Sequence, residues 1–447
     1  MDVKCILKAM LVIAGLTTLT GAAQGQVIGN VPRYEQDYPV IDYSGAAQHN
    51  CIARLQDRIV RGEVPLQYEP RWGYLRSILD ATGMSIESQV LVYSKTSLQT
   101  DWIGADTPRA IYFNDDCYVA WVQGSSLLEF VAVDADRGVV FYSLDNRPPA
   151  AVRFEREGGR CLTCHDTYSM TGGGVPRVLV MSAPVDSPAD THIYSSATEV
   201  TDKTPVAQRW GGWYVTGQHG QQTHLGNLPL REQQNTPALR DLSPHDRQSL
   251  AGYFDTSKYL SDRSDIAALL VMEHQSSLQN LIVRVNFKIR TVMSRSNAMA
   301  AGGPRSWEQV SPTDQRAVRA MMEPLVKALF FTDAASLNDA ITGSTDFARQ
   351  FAARGPRDPQ GRSLRDLDLE TRVFRYPLSY LVYSEAFEAL PAIARDYVGS
   401  RIVEVLQGED RTGLSDSIQP DDRRAVKEIL TTTSARFAAL FAGAAQR

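Results

Sequence analysis

The chain is poor in cysteine, with five in 447 residues and only one closely spaced pair. That excludes a small disulfide-stapled scaffold and any zinc module built from repeated Cys-x-x-Cys pairs. Positive charge is not in excess either. Lys and Arg number 46 against 51 Asp and Glu, a net charge of −5, so neither nucleic acid nor an anionic membrane surface is expected as the main partner. After the leading residues no apolar run approaches the roughly 20 residues that a transmembrane helix needs. There is no internal repeat and no low-complexity tract. What remains is an ordinary folded composition, 43% hydrophobic and 22% charged, long enough for two or three domains or one large one with insertions.

The chain opens with Lys4 and Lys8, then an apolar run from Ala9 to Leu19, then Ala23-Gln24-Gly25 with small side chains where a signal peptidase reads. The pattern predicts a Sec-type signal over residues 1–25, cleaved before Gln26; the alternative is an uncleaved anchor. Cys5 precedes the apolar run, so it does not read as a lipid attachment site. Loss of Asp2, Lys4 and Lys8 removes a net +1 and takes −5 to −6. The expected location is the periplasm, or outside the cell, with no membrane segment left after the signal is removed. Four cysteines then remain, Cys51, Cys117, Cys161 and Cys164, in a compartment where thiols are paired or chemically occupied.

Ile52, Leu55 and Ile59 recur at helical spacing, as do Leu75, Ile78 and Leu79 before Gly83. Residues 89–93 fit a strand. Four runs between 109 and 144, AIYFN, CYVAWV, LLEFVAV and GVVFYSL, are separated by Asp115-Asp116, Gly124-Ser125 and Asp136-Arg137-Gly138, which predicts an antiparallel meander. RVLVMSA and GGWYVTG add strand-like runs further on. Residues 264–285 read as a helix, and from there the pattern stays mainly helical. A second helix is expected behind Ser311-Pro312, a good cap and first-turn pair, with Val318, Met321, Met322, Leu325, Val326, Leu329 and Phe330 on its core face. Residues 353–366 read as a polar, arginine-rich loop, and helices resume near Tyr376. The expected fold class is α+β: a β-rich region over 26–240, then a mainly helical region over 241–447.

The stretch GGRCLTCHDTYSM, residues 158–170, carries the chemistry. Cys161-Leu162-Thr163-Cys164-His165 admits three devices: covalent haem attachment, dithiol–disulfide cycling, or part of a zinc site. Haem attachment needs two thiols to add to two vinyl groups and an imidazole for the iron, and this run supplies all three. Zinc would need two further ligands, and no second Cys-x-x-Cys exists. A thioredoxin-like site would want the first cysteine at a helix N-terminus in a βαβ setting, which the upstream meander does not suggest. One covalent haem c is therefore expected, on Cys161 and Cys164 with His165 as an axial ligand. Cys51 and Cys117 are then left either as a disulfide spanning 67 residues (51 to 117 inclusive) or as two small buried apolar side chains.

Over these five residues the chain resembles c-type cytochromes, but it has no Met-Pro and is about four times longer than a small one. Over RAIYFNDDCYVAWV, CLTCHDT, RWGGWYVTGQHG and FRYPLSYLVYSEAF it resembles a group of large exported bacterial monohaem proteins. That resemblance implies a haem-binding protein and supplies no reaction.

Several residues are candidates around such a group. Arg177 and Arg209 can pair with propionates, or are surface residues. Trp210 and Trp213 can pack on the macrocycle, or fill the core. Gly172, Gly173 and Gly174 let a backbone pass close, or form a plain turn. For the second axial position His274 is the first expectation, because it falls on the apolar face of the helix beginning near Ser264. His219 and His224, in a glycine-rich loop, and Met170 are the alternatives. The leading functional expectation is single-electron transfer with a periplasmic redox partner protein. The alternatives are a haem enzyme of peroxidase or small-oxyanion-reducing type with an open distal side, and a haem-based sensor or interaction protein.

Overall fold

A computed structural model describes residues 39–95, 97–148, 152–166, 174–183, 197–227, 246–298 and 307–444. The expected export signal, Met170, Gly172 and Gly173 lie outside the described residues.

Asn50 caps α1 (Cys51–Val60), its side chain accepting the Ile52 and Ala53 amides, and Ile52 and Leu55 turn inward. Helix α2 (Leu75–Thr82) ends at Gly83, whose φ of 68° forms a left-handed cap open to glycine at no steric cost. The predicted meander follows: β1 (Val90–Val92), β2 (Arg109–Phe113), β3 (Cys117–Val122), β4 (Leu127–Asp134), β5 (Gly138–Asp145) and β6 (Glu155–Glu157). Then come the short helix α3 (Gly159–His165), the β7 (Met181–Ser182) and β8 (Thr198–Glu199) pair, β9 (Trp213–Tyr214) and β10 (Gly217–Gln218). The main sheet runs β6-β5-β4-β3-β2-β1-β9, and its registered pairs are all antiparallel.

Alternation gives this sheet two different faces. On one side Tyr142 meets Asn50 through its hydroxyl at 2.9 Å, and Tyr43 donates to the Val139 carbonyl at 2.8 Å. A disulfide between Cys51 and Cys117, with Cα atoms 6.5 Å apart, ties α1 to β3. On the other side lies α4 (Ile266–Ala298), a helix of 33 residues. Asp265 caps it by accepting the Ala267 and Ala268 amides. Its polar side chains grip the sheet's turns: Gln275 donates to Asn114 O, Gln279 to Asp115 O and Asn286 to Ala135 O.

Among the described residues the remaining α-helices are α5 (Pro312–Leu329), α6 (Phe347–Ala353), α7 (Glu385–Glu388), α8 (Ala392–Gln407), α9 (Pro420–Thr433) and α10 (Ala435–Ala444), with β11 (Thr342–Gly343) paired to β10. Ser311 caps α5 as its sequence predicts. The fold is α+β, β-rich in the N-terminal half and mainly helical in the C-terminal half. A single hydrophobic core runs through both, from Ile41 to Phe441. Among the described residues no helix is long and apolar enough to cross a membrane.

Candidate cofactor site

The motif forms most of α3. Leu162 is buried and anchors the helix, and the Thr163 hydroxyl folds back on Gly159 O at 2.7 Å. Helical spacing then sets Cys161, Cys164 and His165 on neighbouring positions of one side, at i, i+3 and i+4. Neither cysteine is in a disulfide. With His165 they line a cleft of ≈ 200 Å³ between α3 and the sheet, open to solvent. Its walls include Ile111, Tyr118, Val131 and Phe141 from the meander, Trp213 from β9, Met181 from β7 and Met272 from α4.

His165 is held from one side. Its Nδ1 lies 2.7 Å from the Arg177 carbonyl; an oxygen that can only accept puts the proton on Nδ1. The ring packs on Phe141 at 4.6 Å between centroids. Burial holds the imidazole below its usual range, more strongly than the Arg177 carbonyl raises it, so it is neutral at neutral pH. Nε2 therefore keeps its lone pair, and it makes no hydrogen bond among the described residues. Such an imidazole is a metal ligand in waiting.

Burial, with the Glu157 and Glu129 carboxylates next in effect, pushes the Cys161 thiol up to about 12. A dithiol exchange centre needs the reverse, a thiol acidified to a thiolate, so the cycling reading loses support. Zinc fares no better: among the described residues no group of three or more His, Cys, Asp or Glu side chains could hold a bare metal ion. A haem brings four nitrogen donors of its own and asks the protein for two thiols and one imidazole. The donor set present fits that request.

Charge sits at the edge of the cleft. Arg109 approaches Glu129 at 3.7 Å, and Gln99 donates to the same carboxylate at 2.8 Å. Arg160 pairs with Glu157, which also accepts the Ser143 hydroxyl.

Of the residues singled out in the sequence, Trp213 reaches the cleft, its indole N–H donating to Met181 O at 2.7 Å. Arg177 contributes its carbonyl, while its guanidinium lies 3.5 Å from Glu199. Arg209 and Trp210 do not line the cleft. Both are buried and both donate to Glu273, at 2.7 and 2.6 Å, an interior ion pair that leaves Arg209 unavailable to a propionate in this arrangement.

His274 is not brought to the motif either. It is fully buried, Nδ1 is 2.8 Å from Asp202 Oδ2, and Nε2 is 2.7 Å from Ser379 Oγ. The partner it needed on each nitrogen is supplied by side chains, not by iron. The order Asp–His–Ser is that of a hydrolase triad, yet Ser379 is fully buried and its hydroxyl caps a turn by accepting the Leu381 amide, so no substrate reaches it. His219 and His224 meet edge to face with ring centroids 4.7 Å apart, away from the cleft lining. His219 Nδ1 lies 2.7 Å from Gln222 O, His224 Nδ1 accepts the Gly226 amide, and burial pushes His224 down to about 3. Gly174 adopts a φ of 101°.

Sequence reasoning missed Arg109, Glu129, Phe141 and Met272. The first three were detectable in principle, since alternation in the meander places Arg109, Ile111, Glu129, Val131, Phe141 and Ser143 on a single face. Met272 was not, because α4 is buried on nearly every side.

Compared with protein-family models, with curated proteins and with solved structures, the chain has no match in any of the three.

Proposed function

We propose that this chain is an exported haem c protein that carries single electrons between partner proteins. The observation that carries the reading is one neutral imidazole, with its proton on Nδ1 and with no hydrogen bond to Nε2 among the described residues, beside two cysteines that are in no disulfide, on an apolar cleft. Cys161 and Cys164 would hold the haem through thioethers, and His165 would bind the iron. The haem, when bound, supplies a one-electron iron couple whose potential follows axial ligation and burial.

The chain's own residues do the rest. The Arg177 carbonyl keeps the His165 proton on Nδ1 and makes the opposite nitrogen more basic. Phe141, Trp213 and Met272 keep water from one side of the cleft, and Arg109 and Arg160 supply positive charge for carboxylates. The Cys51–Cys117 disulfide supports an oxidising compartment, in keeping with the expected export signal and a periplasmic redox partner.

The second reading, a haem enzyme, is favoured by one feature. The Arg109–Glu129 pair faces an open cleft, where it could serve acid–base steps. The absorption spectrum of the exported protein separates the two. Low-spin, six-coordinate iron in both oxidation states is expected for the carrier. A high-spin ferric iron that readily binds cyanide or peroxide would overturn the carrier in favour of the enzyme.

A further inference from the structure

We infer that Asn280 is a positioning residue for His165, acting through the backbone segment that holds the imidazole. What the imidazole is for rests on the haem reading; the tautomer itself does not.

Asn280 lies on α4 and is 5% exposed. Its Oδ1 accepts the Val178 amide at 2.9 Å, and its Nδ2 donates to the Val178 carbonyl at 2.7 Å. A side chain here makes the two bonds that a neighbouring strand would make. One residue earlier, Arg177 is bound twice to His165: its carbonyl takes Nδ1–H at 2.7 Å, and its amide donates to the His165 carbonyl at 3.1 Å. Consecutive residues are thus clamped in opposite directions, Val178 to α4 and Arg177 to the end of α3. Eleven residues, 166 to 176, separate His165 from Arg177, too many for the chain connection alone to set their distance. Downstream, the Val180 carbonyl accepts the Val200 amide, which tethers the segment to β8 but not to α4.

The amide of Asn280 both accepts from and donates to the backbone of one residue. Aspartate would keep the acceptor and lose the donor, and leucine would lose both while leaving two buried backbone groups unpaired. With the clamp released, the Arg177 carbonyl would drift from the imidazole, and the proton on His165 would no longer be confined to Nδ1.

The test is nitrogen NMR of the histidine rings in the full chain, made in a host that does not attach haem. The wild type should show His165 protonated on Nδ1. Asn280→Leu should lower the Nδ1–H to Nε2–H ratio about fivefold to tenfold, the equivalent of one lost hydrogen bond, and Asn280→Asp should fall between. Asn286→Leu, on the same helix and bonded to Ala135, should leave the ratio unchanged. A folded Asn280→Leu or Asn280→Asp variant with the wild-type ratio would overturn the assignment, as would a wild type protonated on Nε2. Should neither variant fold, hydrogen exchange in the wild type decides. The Val178 amide and the His165 Nδ1–H should open together, and a fast imidazole proton beside a protected amide would overturn the proposal. These shifts, together with a chain that acquires no haem in a host able to attach haem c, would sink the haem reading and leave this one standing.

Discussion

His274, beside the aromatic cluster of the helical half, and His165, at the rim of the β-rich half, both hold Nδ1 against an oxygen. They differ in what the other nitrogen meets. His274 Nε2 meets the buried Ser379 hydroxyl in the core, with Phe331 and Phe374 each 4.8 Å away. His165 Nε2 meets no hydrogen-bonding group among the described residues and borders a cleft that it shares with Cys161 and Cys164, neither of them in a disulfide. A buried imidazole is costly until each nitrogen is partnered. The first histidine has met that requirement within the protein and is part of the architecture. The second has met half of it among the described residues.

Three experiments bear on this contrast. The largest effect should come from the disulfide that braces the sheet bearing His165. Replacing Cys51 and Cys117 with alanine should cost about 4 kcal/mol by loop entropy, read from urea unfolding, with little change in the His165 tautomer. Loss of that tautomer would show that the site depends on the brace.

Next comes the pair itself, in the chain without haem. His274→Ala should cost about 3 kcal/mol, because it leaves Asp202 and Ser379 without their partner in the core. His165→Ala should cost less than about 1 kcal/mol. Equal costs, or the reverse order, would break the comparison.

The smallest effect concerns reactivity alone. With its thiol held up at about 12, Cys161 in the haem-free chain should react with iodoacetamide at pH 8 at least about a hundredfold more slowly than an ordinary exposed thiol. The sign follows from burial disfavouring the thiolate: the rate should climb with pH until the thiol ionises near 12. A fast reaction at pH 8 would revive the dithiol reading.

Much of the fold was legible. The meander was readable because Asp115-Asp116, Gly124-Ser125 and Asp136-Arg137-Gly138 punctuate apolar runs of strand length, and β2 to β5 lie there. Helix α1 matches its apolar spacing. The helix expected over 264–285 exists but continues to Ala298, since polar residues such as Asn286 and Thr291 are buried and bonded rather than marking an end.

The return of β9 to the sheet edge beside β1 was not legible, because pairing across more than a hundred residues leaves no local trace. The candidate site was legible only where it is local. Cys161, Cys164 and His165 stand together in sequence, whereas the Arg177 carbonyl, Phe141 and Met272 reach them through tertiary packing. His274 misled because a helix buried on nearly all sides has no informative apolar face: its periodicity says that a residue is inside, not which neighbour it meets.

Everything turns on whether Cys161 and Cys164 carry a haem. The direct measurement is the intact mass of the full-length chain, exported from a host able to attach haem c and then denatured. The account predicts the mass of the polypeptide plus one haem that denaturation does not remove, and loss of that increment when both cysteines are replaced by serine. The bare polypeptide mass in the unsubstituted protein would contradict it.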